Sequence, residues 1–169
     1  VFEIVVSLIG LIFLIPLTIL VFFQNIKNGD NGPVFYTQKR IGKNGKLFKM
    51  YKFRTMVNNA DEILAEMLQD REISKEYEKY RKLKNDPRLT KFGKVLRAKS
   101  LDEFPQFINV LKGEMSVVGP RPYMPDEAER MGEYYKYITS HKPGITGVYQ
   151  IAGNERVEFN DRLDMDVRY

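Results

Sequence analysis

Residues 97–105 read Arg-Ala-Lys-Ser-Leu-Asp-Glu-Phe-Pro, placing two adjacent acids, Asp102 and Glu103, just after two cations, Arg97 and Lys99. A carboxylate kept ionised by nearby cations can attack phosphorus and store a phosphoryl group as a covalent aspartyl ester. An acid beside it could bind magnesium, which screens the negative charge of a diphosphate and steadies the departing phosphate. A second account needs no enzyme. Ser100 followed by Glu103 three residues later matches a capping box, and acids are favoured at a helix start. The spacing alone leaves both accounts open.

Two further segments carry a cation on stiff backbone: Gly119-Pro120-Arg121-Pro122 and Lys142-Pro143-Gly144-Ile145-Thr146-Gly147. Proline fixes the chain around Arg121 and next to Lys142, and the glycines permit tight turns and close approach to a ligand. They read as anion-binding loops or as ordinary Gly-Pro turns, since neither fits a Walker or Rossmann glycine pattern. The chain has no Cys and a single His, His141. Disulfide scaffolds, thiolate zinc sites, Cys nucleophiles and His-rich metal sites are thereby excluded. Any metal would be a hard ion held by carboxylates. His141, alone beside Lys142, reads as a surface residue without a role.

The net charge of +5 is unevenly spread: the first 26 residues hold one charge, Glu3, and all 27 Lys and Arg lie from Lys27 onward. Between Asn31 and Ala60 seven cations, Lys52 and Arg54 among them, alternate with Phe and Tyr and meet no acid. Such a stretch suits single-stranded nucleic acid, anionic lipid head groups or a diphosphate substrate.

These residues must be positioned by a core that 169 residues can supply once, so one catalytic-sized domain plus an anchor is expected. Residues 28–33 form a turn-rich break. Val34–Gln38 and Leu47–Phe53 are rich in β-formers and flank Asn44-Gly45, which predicts a hairpin. Ala60, Ile63, Leu64, Met67 and Leu68 recur at helical spacing, and a charged helix with Tyr77, Tyr80 and Leu83 follows. After Asp86-Pro87, Thr90 precedes a third helical stripe, Phe92, Val95 and Leu96, and a further helix is expected to begin at Ser100.

From Ile4 to Phe23 twenty residues carry no charge, enough for roughly 30 Å of helix. A signal peptide would have a basic start and a shorter apolar run. Pro16 removes one backbone hydrogen bond and crowds the preceding turn, so the segment reads either as a transmembrane helix tolerating a proline or as a broken helix that dips in and returns. The Lys and Arg that follow argue for a domain on the cytoplasmic side.

Together, in order, the proline-containing apolar N-terminus, Tyr51-Lys52-Phe53-Arg54-Thr55-Met56, Asp86-Pro87-Arg88-Leu89-Thr90, Arg97 to Gln106, Gly119-Pro120-Arg121-Pro122 and Pro143-Gly144-Ile145-Thr146-Gly147 resemble the bacterial sugar transferases, the monotopic phosphoglycosyl transferases. The likeness spans nearly the whole chain. It implies that Asp102 attacks the β-phosphate of a UDP-sugar, releasing UMP, and that undecaprenyl or another polyprenyl phosphate then takes the phosphosugar, the first step of capsule, exopolysaccharide or glycoconjugate synthesis. It further implies Glu103 as the magnesium ligand, and Lys52, Arg54, Arg97 and Arg121 around the phosphates. In this family a helix broken at the proline, here Pro16, enters and leaves the membrane on the cytoplasmic face. The chain departs from the family pattern at Ile15, where Ser is usual, and at Asn154, where Arg is common and Arg156 follows two positions later. The family also continues past the Asp166 to Tyr169 run, so the chain is expected to be part of a longer protein.

The expected architecture is thus mixed α/β and helix-rich, with a re-entrant helix over 1–27, a short β-hairpin, and a single catalytic domain over 28–169. The expected setting is the bacterial cytoplasmic membrane, with lipid as a partner, no nucleic acid, and a homo-oligomer allowed but not specified. The competing reading is a membrane-anchored basic module that binds anionic lipid or nucleic acid without catalysis and is indifferent to Asp102 and Glu103.

Overall fold

The computed structural model describes residues 2–80, 82–152 and 157–168. Its first element, α1 (Phe2–Lys27), is the apolar run. At 26 residues it would extend about 39 Å at 1.5 Å per residue. Its buried positions Ser7, Gly10, Leu14, Val21 and Asn25 fall at helical spacing along one face. The other face leaves Phe2, Ile12, Phe13, Ile15, Ile19 and Phe23 exposed. The buried stripe lies on the rest of the chain. Gly10 sits against the Phe107 ring, where a Cβ would come within 2.4 Å, and Leu14 and Val21 enter a core with Phe53 and Leu96. Burying each such side chain is worth about 1.5–3 kcal/mol.

The expected break at Pro16 is corrected: α1 runs through Pro16 as one helix. The proline is exposed, off the buried stripe. Thr18 Oγ1 donates to the Leu14 carbonyl at 2.7 Å, so a hydroxyl supports the backbone near the proline even though position 15 lacks one. Contacts before and after Pro16 fall on the same domain surface, which keeps the two halves in register.

The hairpin is present, with β1 (Phe35–Ile41) and β2 (Leu47–Phe53) antiparallel. The turn between them puts Asn44 at φ 57° and Gly45 at φ 76°, the left-handed region these two residues tolerate best. β1 runs three residues past the expected Gln38 because Arg40 and Ile41 turn inward and are buried. The free edge of β2 is closed by a side chain: Tyr51 N donates to Asn109 Oδ1 at 3.0 Å and Asn109 Nδ2 donates to the Lys49 carbonyl at 2.8 Å. Asn109 belongs to α5 (Gln106–Leu111), so the hairpin and α5 form one frame.

Helices α2 (Ala60–Met67) and α3 (Arg71–Tyr80) follow as expected. The next, α4 (Lys91–Ala98), is capped by Thr90, whose Oγ1 accepts from Gly93 N at 2.9 Å. A Cβ on Gly93 would lie 2.0 Å from the Thr55 carbonyl, so only glycine lets α4 rest on the chain leaving β2.

The Lys142–Gly147 segment, expected as a loop, contains a strand: β4 (Gly144–Thr146) pairs parallel with β3 (Ser116–Val118). A Cβ on Gly119 would come within 2.5 Å of the Lys142 carbonyl, and one on Gly144 within 2.1 Å of Gly119 N. These glycines therefore let two backbone segments cross each other rather than a ligand.

The remaining helices are α6 (Ala128–Met131), α7 (Tyr134–Thr139), α8 (Val148–Ile151) and α9 (Phe159–Val167). Of these, α6, α7 and α9 build a second core with Ile41 and Tyr123 through Met131, Ile138, Phe159 and Leu163, a cluster that holds no residue of α1. A third cluster, Phe48, Met50, Val110 and Met115, joins hairpin to α5. The architecture is mixed and helix-rich, as expected.

Candidate active site

The acid pair sits on a single 3-10 turn, residues 101–103, between α4 and α5. Ser100, at φ 53°, makes no side-chain cap, so the capping-box account fails. Glu103 turns instead to β2, where its Oε1 accepts from Lys52 Nζ at 2.7 Å. Asp102 is 7% exposed. Burial pushes its pKa up, Glu103's charge adds to that, and Lys52 and Arg97 pull against it; the net direction is upward. Burial acts the same way on Glu103, but the charge and hydrogen bond of Lys52, the charge of Arg121 and a hydrogen bond with Gln106 outweigh it, leaving Glu103 below its ordinary value.

Arg97, at the end of α4, donates from Nε to Thr55 Oγ1 at 3.0 Å. Loss of solvent around its guanidinium holds its pKa down although the residue as a whole is exposed, with the charges of Asp102 and Asp86 opposing. Lys52, Glu103, Gln106 and Arg121 share the wall of one pocket with Arg40 and Gln150. Arg121 packs 5.5 Å from the centroid of the Tyr149 ring, and its Nε is buried without a hydrogen-bond partner.

Arg54 is not part of this group. Its Nε donates to the Pro33 carbonyl at 2.6 Å, Nη1 to the Met56 carbonyl at 2.9 Å and Nη2 to Asp30 Oδ1 at 2.8 Å. These bonds pin the turn after α1 to the end of β2 and leave Arg54 no edge for a phosphate. Lys142 also points elsewhere, with Nζ near Gly113. Asn154, Arg156 and Tyr169 lie outside the described residues.

Sequence reasoning missed Arg40, Arg162 and Asp166. Arg40 is buried at the end of β1; it donates from Nη1 to the Pro122 carbonyl at 3.1 Å and from Nη2 to Gln38 Oε1 at 2.5 Å. Burial and the charge of Arg121 lower its pKa to about 10 against the opposing charges of Glu127 and Tyr36. The only signal for it was register: counting back from Asn44-Gly45 sets Arg40 opposite Phe48. Arg162 and Asp166 sit on α9, whose short, polar sequence carries no clear stripe.

Among the described residues no three acids or His come together as a metal site; a magnesium ion, which takes one or two carboxylates and completes its shell with water and phosphate, would find Glu103 in the pocket wall.

The family model for bacterial sugar transferases matches residues 1–169. The chain is 46% identical over 169 residues to an undecaprenyl-phosphate galactose phosphotransferase of Salmonella typhimurium, covering 99% of this chain and 35% of that protein. It is 42% identical over 169 residues to the exopolysaccharide production protein ExoY of Sinorhizobium fredii, covering 99% and 74%. A UDP-glucose:undecaprenyl-phosphate glucose-1-phosphate transferase of Klebsiella pneumoniae is 42% identical over 177 residues, covering 99% and 34%. The chain thus spans about a third of the length of several of these relatives. With the ordered motifs and the buried acid pair, this match places the chain in the bacterial sugar transferase family.

Proposed function

We propose that this chain transfers a sugar phosphate from a UDP-sugar to a polyprenyl phosphate in two steps through Asp102. The observation that carries the reading is the acid pair itself: Asp102 is buried among Lys52 and Arg97, and Glu103 pairs with Lys52 instead of closing a helix end. The names of the relatives, which include undecaprenyl-phosphate sugar phosphotransferases, support the same donor and acceptor classes.

In the first step an Asp102 carboxylate oxygen forms a bond to the β-phosphorus. The bond from that phosphorus to the bridging oxygen breaks, and UMP leaves with the electron pair. In the second, a phosphate oxygen of the polyprenyl phosphate attacks the same phosphorus and returns Asp102 as a free carboxylate. Lys52, Arg97 and Arg121 supply fixed positive charge where the transferring phosphoryl group becomes more negative. Burial of Asp102 keeps water from the acyl phosphodiester. Glu103 would hold a magnesium ion, which would supply neutralisation of the diphosphate charge.

The seating of α1 fits a lipid-borne acceptor. One face of the helix covers the core next to the 3-10 turn, with Leu101 and Phe104 packed against that core, and the opposite face exposes large apolar side chains along its length. The chain would lie against the cytoplasmic face of the membrane, its basic surface toward anionic head groups. The test is UMP release from a UDP-sugar in the presence of magnesium and polyprenyl phosphate. Asp102→Ala is expected to abolish it; normal release by that variant would refute the mechanism and favour the non-catalytic binding module.

A further inference from the structure

We propose that Asp166 and Tyr123 form a brace that sets the position of Arg121, with Asp166 a positioning residue for the transfer; this rests on the two-step reading above. The two residues are distant in sequence and meet inside the protein. Tyr123 is 1% and Asp166 3% exposed, and Tyr123 OH donates to Asp166 Oδ2 at 2.7 Å. The pocket wall shared by Lys52, Glu103 and Arg121 does not include Asp166, so whatever Asp166 does there passes through another residue.

The stretch that carries Arg121 is gripped from three sides. From β4, Gly144 N donates to the Pro120 carbonyl at 2.8 Å. From β1, Ile41 N donates to the Tyr123 carbonyl at 2.9 Å and Arg40 Nη1 to the Pro122 carbonyl at 3.1 Å. The third side is α9, which holds the stretch through the Tyr123 hydroxyl. The side chain of Arg121 is restrained less directly. Its Nε is buried without a hydrogen-bond partner, and its Cζ rests 5.5 Å from the Tyr149 ring centroid. Helix α9 supports that ring as well, with Arg162 Cζ 5.8 Å from the same centroid. Where the guanidinium sits therefore follows from where the backbone of 120–123 is held.

As a piece of core the pair is unfavourable. Burial pushes the Asp166 pKa up, and the hydrogen bond from Tyr123, the backbone amide of Arg121 and the charges of Arg121 and Arg162 oppose this without reversing it. The other carboxyl oxygen, Oδ1, is buried without a hydrogen-bond partner, a deficit that weakens a fold. A phenylalanine and a leucine would fill the same space with no such deficit, since cores accept apolar side chains of about the right size. They would not fix one register. An apolar contact lets the Tyr123 ring slide, whereas a hydrogen bond holds it at one distance and angle. Tyr123 stands two residues from Arg121 with the stiff Pro122 between them, so fixing one fixes the other. A misplacement of about 1 Å near reacting groups can cost about 10²-fold in rate, so a small loss of register is enough to be read.

The test is a double-mutant cycle on adduct formation from a UDP-sugar with magnesium, using the full chain in detergent. Asp166→Ala is expected to slow the step about tenfold at saturating donor with little change in donor KM. Asp166→Asn, which keeps an acceptor for the Tyr123 hydroxyl, should recover most of that loss. Tyr123→Phe should match Asp166→Ala, and it carries the same comparison if the alanine variant melts too low to assay. In an Arg121→Met background neither change should slow the step further. A second readout needs no turnover: amide hydrogen exchange over residues 119–123 should quicken in Tyr123→Phe, while α4 and α5 keep their native protection. Equal losses in the native and Arg121→Met backgrounds would overturn the proposal, because they would make Asp166 a general support of the fold. Native rates in a folded Asp166→Ala chain would overturn it too. If the native chain forms no adduct, the two-step reading fails by itself and exchange decides the brace: quickening confined to 119–123 retains it, and unchanged exchange rejects it.

Discussion

Two groups of buried or half-buried arginines divide this molecule. Arg54 and Arg88 have their donors engaged: Arg54 binds Pro33, Met56 and Asp30, and Arg88 holds Asp86 with Nε and Nη2 at 2.8 and 2.7 Å. Arg40 and Arg162 are buried and Arg121 half-buried, each with a donor left open. The first group joins chain segments and forms part of the frame. The second group is held by that frame with capacity to spare, and each unsatisfied buried donor costs roughly 1–3 kcal/mol. Arg40 and Arg121, each with an open donor, line the pocket that holds Glu103.

This contrast can be broken by substitution. Removing one partner of a buried pair strands the other charge, so Arg88→Met is expected to cost about 3–5 kcal/mol, read by denaturant unfolding. Arg121→Met should do the reverse. Loss of one preorganised donor is expected to lower adduct formation by about 10²–10³-fold, while replacing this half-buried cation, whose Nε has no hydrogen-bond partner, by an apolar residue leaves stability unchanged or higher. If Arg121→Met unfolds the chain as Arg88→Met does, the two groups are not distinct.

The frame group also carries a pH signature. Burial would raise the Asp86 pKa, but the hydrogen bonds and charge of Arg88 outweigh it and hold it below 3.8. A carboxyl depressed in the folded state contributes stability that is fully present above its unfolded pKa, about 3.9, and is lost as pH falls through the folded value. The stability gap between the native chain and Asp86→Asn should therefore be full at neutral pH and close below about pH 4, measured by melting across pH. A gap that persists in acid would mean the pair is not what Asp86 contributes.

The smallest effect falls at Ser100. With a left-handed φ and no cap bond, Ser100→Gly is expected to stabilise by up to ~1 kcal/mol. A true N-cap would instead lose a few tenths. A loss would restore the capping account of the acid pair.

Much of this was legible before the structure. Asn44-Gly45 fixed the hairpin, because only a left-handed turn joins two strands there, and Thr90 capped α4 as its position suggested. The acid pair and Arg121 could be picked out because chemistry of this kind uses few residue types. What could not be read were long-range partners. Arg54 and Lys52 stand two residues apart in the same basic run, and only the turn at Asp30 and the carbonyls of Pro33 and Met56 make one structural. Arg40 looked like any other cation of the hairpin until its strand carried it inward. The Gly144–Thr146 strand is too short to show alternation; it exists because Gly119 and Gly144 allow two backbones to touch. At Pro16 a local rule predicted a break, and packing along a domain surface on both sides of it prevailed.

The central claim is that Asp102 carries the phosphosugar. The most direct measurement is the intact mass of the full-length protein after incubation with magnesium and a UDP-sugar, without lipid acceptor, alongside Asp102→Asn. The expected result is a mass increase of one phosphosugar on the native protein, absent from the variant and discharged by polyprenyl phosphate. An equal adduct on Asp102→Asn, or UMP release from the native protein with no adduct trapped at any time, would contradict it.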